Sequence, residues 1–183
     1  MGFLVLGGCG HMDIVEAMKT RRSIRKYKSQ MVDEETIKKL FQVVRLAPSA
    51  HNAQPWKFIV VRDEEKKRKI AQYCGNQKFI HEAPVVIVAC GIPDESSANV
   101  GNWISAFVID VSIATTYLIL AAWSLGLGTC WIGNFNEEKI KEVLGITDDV
   151  KVIAITPLGY PDESPEPRGR KNISEIVVYE GFE

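Results

Sequence analysis

Residues 104–125 constrain this chain more than any other segment. Ile109, Val111, Ile113, Ala114, Leu118, Leu120, Ala121 and Ala122 make the stretch apolar on nearly every side of a helix. Asp110, Ser112, Thr115 and Thr116 interrupt it, so it reads as a core helix and not as a membrane span. A helix buried on every side needs more cover than one chain of 183 residues readily supplies. That predicts a long central helix shared within a homodimer core.

The flanking pattern is helical on one side and mixed on the other. Asp13 with Glu16 three residues later marks a helix start, and that helix should stop near Arg21 or Arg22. A second begins at Asp33, with Ile37, Leu40, Phe41 and Val44 at helical spacing and Pro48 closing it. Two β-branched runs, 58–61 and 85–88, read as buried strands, with a charged surface helix over 64–71 between them. Gly126-Leu127-Gly128 breaks the long helix. Residues 129–132 then read as strand, 137–144 as an amphipathic helix and 152–155 as a buried strand running into Pro157. Residues 176–179 look like a terminal strand. This order predicts an α+β fold and not strict βαβ alternation.

No repeat or internal boundary interrupts residues 12–183, which are expected to form a single domain. Residues 1–11 are too short to span a bilayer and lack the basic start of a signal peptide. The His11-Met12 step is what a cloning junction leaves behind, so 1–11 are expected to be an added leader, with the natural start at Met12.

Charge and cysteine usage exclude several classes. With 22 Lys plus Arg against 23 Asp plus Glu, the chain has no basic excess for nucleic acid. Its four cysteines include no C-x-x-C pair, and only three histidines could help them. A zinc site or disulfide scaffold is therefore not expected, and reduced thiols point to the cytoplasm.

Three clusters carry possible chemistry. Arg21-Arg22-Ser23-Ile24-Arg25-Lys26-Tyr27 lies where helix gives way to extended chain. Such a basic run can simply compensate the helix dipole; alternatively its guanidinium forks and hydroxyl suit a phosphate dianion. Pro48-Ser49-Ala50-His51-Asn52-Ala53-Gln54-Pro55-Trp56 could be an ordinary proline-punctuated loop. It also gathers small donors and acceptors of the kind a polar heterocycle needs. Gly126-Leu127-Gly128-Thr129-Cys130-Trp131-Ile132-Gly133 could merely end a helix, or could let a flat ring approach the backbone.

Taken in order, and completed by Pro167-Arg168-Gly169-Arg170, these clusters resemble the FMN-binding nitroreductase family from Met12 to about Arg170. The resemblance implies a nitroreductase-like mixed sheet flanked by helices, with the long helix at a homodimer interface. It implies that Arg21, Ser23, Arg168 and Arg170 hold the FMN phosphate and ribityl chain, with Arg22 assisting. Arg25 would face the pyrimidine edge of the ring. Pro48, Ser49 and Asn52 would reach the flavin from the partner subunit, and Trp131, Ile132 and Gly133 would lie along the ring. Asn76 matches a flavin-contacting Asn of some members only loosely. Ala50 departs from the pattern, since many relatives have a second Ser there.

In such a protein the flavin N5 carries the redox chemistry, and no side chain is expected to be catalytic. No G-x-G-x-x-G follows a strand, so NADH or NADPH would visit the flavin pocket transiently and leave before a small acceptor enters. Nitroaromatics and quinones are the expected acceptors. His51 is a candidate pocket residue; Trp103, Phe107 and Tyr73 are candidate walls with core packing as the competing role. The short 91–102 segment favours an open pocket over the lids of deiodinase-type relatives. Two alternatives stand beside this reading: a peptide-azoline dehydrogenase and a non-catalytic flavin-binding protein.

Overall fold

The computed structural model describes residues 12–96 and 99–182; the expected leader, 1–11, lies outside them. In chain order the elements are α1 (Ile14–Thr20), α2 (Glu34–Val44), β1 (Trp56–Val61), α3 (Glu64–Tyr73), α4 (Phe79–Glu82) and β2 (Val85–Gly91). There follow β3 (Asn99–Val100), β4 (Ile104–Ser105), α5 (Ala106–Ser124), β5 (Gly128–Thr129), α6 (Glu137–Leu144) and β6 (Lys151–Gly159).

Side chains alternate across β2, and this builds two layers of core. Val86, Val88 and Cys90 face a cluster with Ile70 of α3, Ile80 of α4 and Ile140 of α6. Val85 and Ile87 face the other way, against Leu40 of α2 and Ala114 and Leu118 of α5. The sheet order is β1-β2-β6-β5, with helices on both faces. That is the α+β architecture the sequence predicts. The named strands all pair antiparallel, and among the described residues the parallel contribution is a single bridge between Ser23 and Thr129.

Caps account for the helix starts. Asp13 accepts from the backbone N–H of Val15 at 2.8 Å, Asp33 from Thr36 at 2.7 Å and Asn136 from Lys139 at 3.0 Å. At the far end of α5, Gly126 takes φ +76°, a conformation glycine adopts without strain, and the chain turns back.

Several expectations need correction. The long helix begins at Ala106, because Ile104 and Ser105 pair with Val100 and Asn99 in a small hairpin. β1 is not fully buried: it is a sheet edge, and Val61 alone among its residues is buried. β5 stops at Thr129, and Ile132 rejoins the sheet through an isolated bridge to Ile155. β6 runs on through Pro157 to Gly159. Residues 176–179 are exposed and form no strand, since no sheet edge of the protomer reaches them.

Within one protomer α5 is not covered on all sides. Ala106, Phe107, Asp110, Val111, Ala114, Thr115, Leu118, Ile119 and Ala122 are buried, while Thr116 and Tyr117 on the opposite side are exposed. By length and composition the helix could cross a membrane, but its covered face packs into the core described above. Its hydroxyls are satisfied locally: Ser112, Thr115 and Thr116 each donate to the carbonyl four residues back.

Candidate cofactor site

The site is built at the end of α1. Arg22 folds back there, its Nη1 donating to the carbonyls of Lys19, Thr20 and Arg21 at 2.9–3.1 Å. This satisfies carbonyls that the helix leaves without partners. For Arg22, dipole compensation is thus what the geometry displays. Beyond it the chain extends along β5: Ser23 bridges Thr129, and the Ile24 N–H donates to the Thr129 carbonyl at 2.9 Å. A Cβ on Gly128 would lie 2.6 Å from the Ile24 side chain, so only glycine lets the two segments approach. Here the close approach admits Ile24 and not a ring.

The same segment recruits the C-terminal chain. Tyr27 donates its hydroxyl to the Ile24 carbonyl at 2.6 Å, Lys28 N–H donates to Tyr160 and Asp162 N–H to Lys26. The Glu163 carboxylate accepts the backbone N–H of Arg25. These contacts guide residues 165–170 back across the end of α1.

The result is a cleft of about 450 Å³ that brings together Arg21, Arg22, Ser23, Arg25, Arg168 and Arg170. Lys19 adds a sixth cationic side chain, and Glu166 is the one carboxylate in the lining. On a chain of net charge −1, this is a strong local concentration of positive charge. The guanidinium groups of Arg21, Arg25 and Arg168 have no ion-pair partner among the described residues. Arg170 Nη1 reaches only the nearby carbonyls of Arg168 and Gly169. Unpaired guanidinium forks beside a hydroxyl suit a phosphate.

Arg21 and Ser23 also line a second recess of about 320 Å³, walled by Thr116, Ile119, Leu120, Thr129 and Trp131. A cationic cleft that shares Arg21 and Ser23 with a recess of apolar and hydroxyl walls fits a phosphate on a polar chain with a flat ring beyond it. Trp131 is 39% exposed, and an added Cβ at Gly133 would meet only the Trp131 ring within 4 Å. Ile132 between them is buried, its backbone N–H and carbonyl both paired with Ile155. Thr116, Ile119 and Leu120 lie outside the clusters that the sequence singles out. The spacing of residues 116, 119 and 120 on one helical face was the available signal.

Other expected residues lie elsewhere. Pro48, Ser49 and Asn52 line neither cavity of their own protomer. Their loop is tied instead to the N-terminal half of α5, where Asp110 accepts the N–H of Ala50 at 3.0 Å. His51 is exposed on that loop at φ +51°. Asn76 lines a separate surface hollow with Arg68, Lys78 and His81. Phe107 is buried and Tyr73 packs on the α3–α6 core, as structural residues do. Trp103 is 80% exposed on the β3–β4 hairpin.

Cys74, Cys90 and Cys130, the cysteines among the described residues, are buried and unsuited to thiolate chemistry. Burial pushes Cys74 up to about 12 and Cys90 to about 11. Burial also raises Cys130, against the opposing pull of Arg25, the Ser23 hydroxyl and Arg21.

Comparison with known proteins gives the family and the fold. The sequence profile of the nitroreductase family matches residues 18–77 and 72–160. A protein from Methanothermobacter thermautotrophicus, provisionally named NADH dehydrogenase/NAD(P)H nitroreductase, is 40% identical over 167 residues, covering 88% of this chain and 84% of that protein. The crystal structure of a nitroreductase family protein from Clostridium novyi NT superposes with TM-score 0.79 at 38% identity, over 86% of this chain and 89% of the other. The NADPH:FMN oxidoreductase of Vibrio harveyi, solved with NAD+, gives TM-score 0.84 at 27% identity, over 93% and 78%.

Proposed function

The chain belongs to the nitroreductase family, and from that premise we propose that its cationic cleft seats the phosphate of FMN and that its recess takes the ring. The protein is an NAD(P)H-dependent oxidoreductase that works with FMN. The finer reading is a two-step cycle in which NADH or NADPH and then a nitroaromatic, quinone or similar small acceptor occupy one pocket in turn. One observation carries it: six cationic side chains and Ser23 line a single cleft, and two of its residues, Arg21 and Ser23, also line a recess with room for a planar group.

When bound, FMN supplies the hydride and electron chemistry. The chain's own residues bind and orient it. Arg21, Ser23, Arg168 and Arg170 hold the phosphate and ribityl chain, Arg22 fixes the end of α1 behind them, and Arg25 faces the pyrimidine edge. Trp131, Ile132 and Gly133 would lie along the ring, and Thr116, Ile119 and Leu120 wall the recess that would take it.

The working unit in this reading is a cytoplasmic homodimer of a single domain, residues 12–183. Exposed Ile14, Val15 and Met18 on α1, exposed Tyr117 on α5, and the apolar tail residues Ile173, Ile176 and Val178 support it. A partner covering these residues would bring its own Pro48, Ser49 and Asn52 to the flavin. Only a short hairpin and a single 3₁₀ turn separate β2 from α5 among the described residues, which supports an open pocket.

The test is steady-state kinetics on the purified protein, with NADH and NADPH varied against a nitroaromatic or a quinone. Parallel double-reciprocal lines are expected. Intersecting lines would exclude a shared pocket, and a flavin band that fails to bleach with either donor would leave a binding protein and not an enzyme. Light scattering should return a dimer; a monomer retaining full flavin would remove the partner loop from the site.

A further inference from the structure

Asp110 is the one charged residue on the covered face of α5. It is 3% exposed, and no cation pairs with it among the described residues. Its Oδ1 accepts the Ala50 N–H at 3.0 Å across 60 residues of sequence. Its Oδ2 has no hydrogen-bond partner among the described residues. A carboxylate so placed lowers stability relative to an apolar side chain of similar size. Buried Phe107, Val111 and Ala114 show what packing alone puts on this face. Packing therefore does not account for Asp110.

The bond to Ala50 does. Ala50 opens a turn in which His51, Asn52 and then Gln54 take φ values of 51°, 57° and 52°. Side chains other than glycine hold that left-handed region only when surrounding contacts enforce it. Within the loop, the Gln54 N–H donates to Ser49 Oγ at 3.0 Å. Asp110 anchors this strained unit to the core helix.

We propose that Asp110 is a positioning residue that locks the 48–54 loop, so that Ser49 and Asn52 meet the FMN of the partner protomer in one fixed orientation. This rests on the reading that the loop completes an FMN site across a homodimer.

The test follows FMN release on dilution of the holoenzyme, together with the visible circular dichroism of the bound flavin. Asp110→Asn keeps an acceptor at Oδ1 and should hold the FMN Kd within about threefold of wild type. Asp110→Ala should raise it about tenfold and change the dichroic spectrum, as expected for a lost hydrogen bond to a charged group. Asp110→Leu is the second route, because it deletes the acceptor while filling the space with an apolar side chain of similar size. Asp110→Leu should show the same tenfold loss and changed spectrum even where Asp110→Ala fails to fold. Wild-type affinity and spectrum in Asp110→Leu, with FMN lost from Arg21→Ala, would overturn the proposal and leave the flavin reading standing. Wild-type affinity in Arg21→Ala as well would overturn both. Loss in Asp110→Asn equal to that in Asp110→Ala would also overturn it, since the Ala50 bond would then not be what matters.

Discussion

The indole N–H of Trp123 donates to the Thr20 hydroxyl at 3.0 Å, across 103 residues of sequence. Thr20 in turn donates its hydroxyl to the Glu16 carbonyl at 2.7 Å, so one hydroxyl joins the last turn of α1 to the last turn of α5. Arg21 follows immediately, and its place in the cleft depends on this pin. Trp123→Phe keeps the ring packed near Ile24 and Tyr27 but deletes the bond. Stability should fall by about 1 kcal/mol in a urea melt, and FMN should be released more readily. Lower stability with unchanged FMN release would show that other contacts set Arg21.

Arg21 and Arg22 are neighbours with opposite expected phenotypes. Arg21 has no ion-pair partner among the described residues, whereas Arg22 spends Nη1 on three carbonyls. Arg21→Ala should weaken FMN binding by roughly 10- to 100-fold, from about 1.5–3 kcal/mol of charge-assisted bonding. It should leave the melt unchanged. Arg22→Ala should instead cost about 0.5–1 kcal/mol of stability, with the smaller effect on FMN. Equal flavin losses without a stability change in Arg22→Ala would place both guanidinium groups on the phosphate.

These contrasts show what the sequence could and could not disclose. Helix starts were legible because capping is local: Asp13 and Asp33 announce α1 and α2 within four residues. The hairpin of β3 and β4 was hidden because Ile104 continues the apolar run that α5 then takes up. The single turn of α4 is too short to show a period. Residues 176–179 have strand composition, but a strand also needs a free edge, which no local pattern encodes. In the site, the resemblance brought Arg21 and Arg168 together; the residues alone did not. Ser23 next to Thr129, or Trp123 next to Thr20, is a property of the packed chain.

Alkaline pH should destabilise the protein through its buried thiols. Cys74 is pushed from an ordinary 9.0 up to about 12, and Cys90 from 9.0 to about 11. Between these values and 9.0 the unfolded chain ionises while the folded chain stays protonated, so unfolding is favoured as pH rises. Below roughly pH 8 both states are protonated and the melt should not depend on these groups. From about pH 9 upward, each thiol should remove up to about 1.4 kcal/mol per pH unit. Urea melts of wild type and Cys74→Ala at about pH 8 and about pH 10 test this. An identical alkaline slope in the two proteins would exclude Cys74 as its source.

Arg25 offers the sharpest test of how the cleft treats the bound ring. Its side chain is exposed in the cleft, its backbone N–H is held by Glu163, and no carboxylate pairs with its guanidinium among the described residues. Two-electron reduction of a flavin at neutral pH leaves negative charge near N1 and O2. A guanidinium at that edge favours the reduced form over the oxidised one. The raw attraction is about 4 kcal/mol at ~4 Å with an effective dielectric of ~20. Charge spreading in the ring, water in an open cleft and the Glu163 carboxylate reduce it to ~1–3 kcal/mol. Since ~30 mV of a two-electron couple corresponds to about 1.4 kcal/mol, Arg25→Gln should lower the midpoint by roughly 20–65 mV. FMN retention should suffer less than in Arg21→Ala if Arg25 serves the ring and not the phosphate. Spectroelectrochemical titration of the two holoproteins decides the matter. An unmoved midpoint with tenfold weaker FMN binding would move Arg25 to the phosphate group, beside Arg168 in the same cleft.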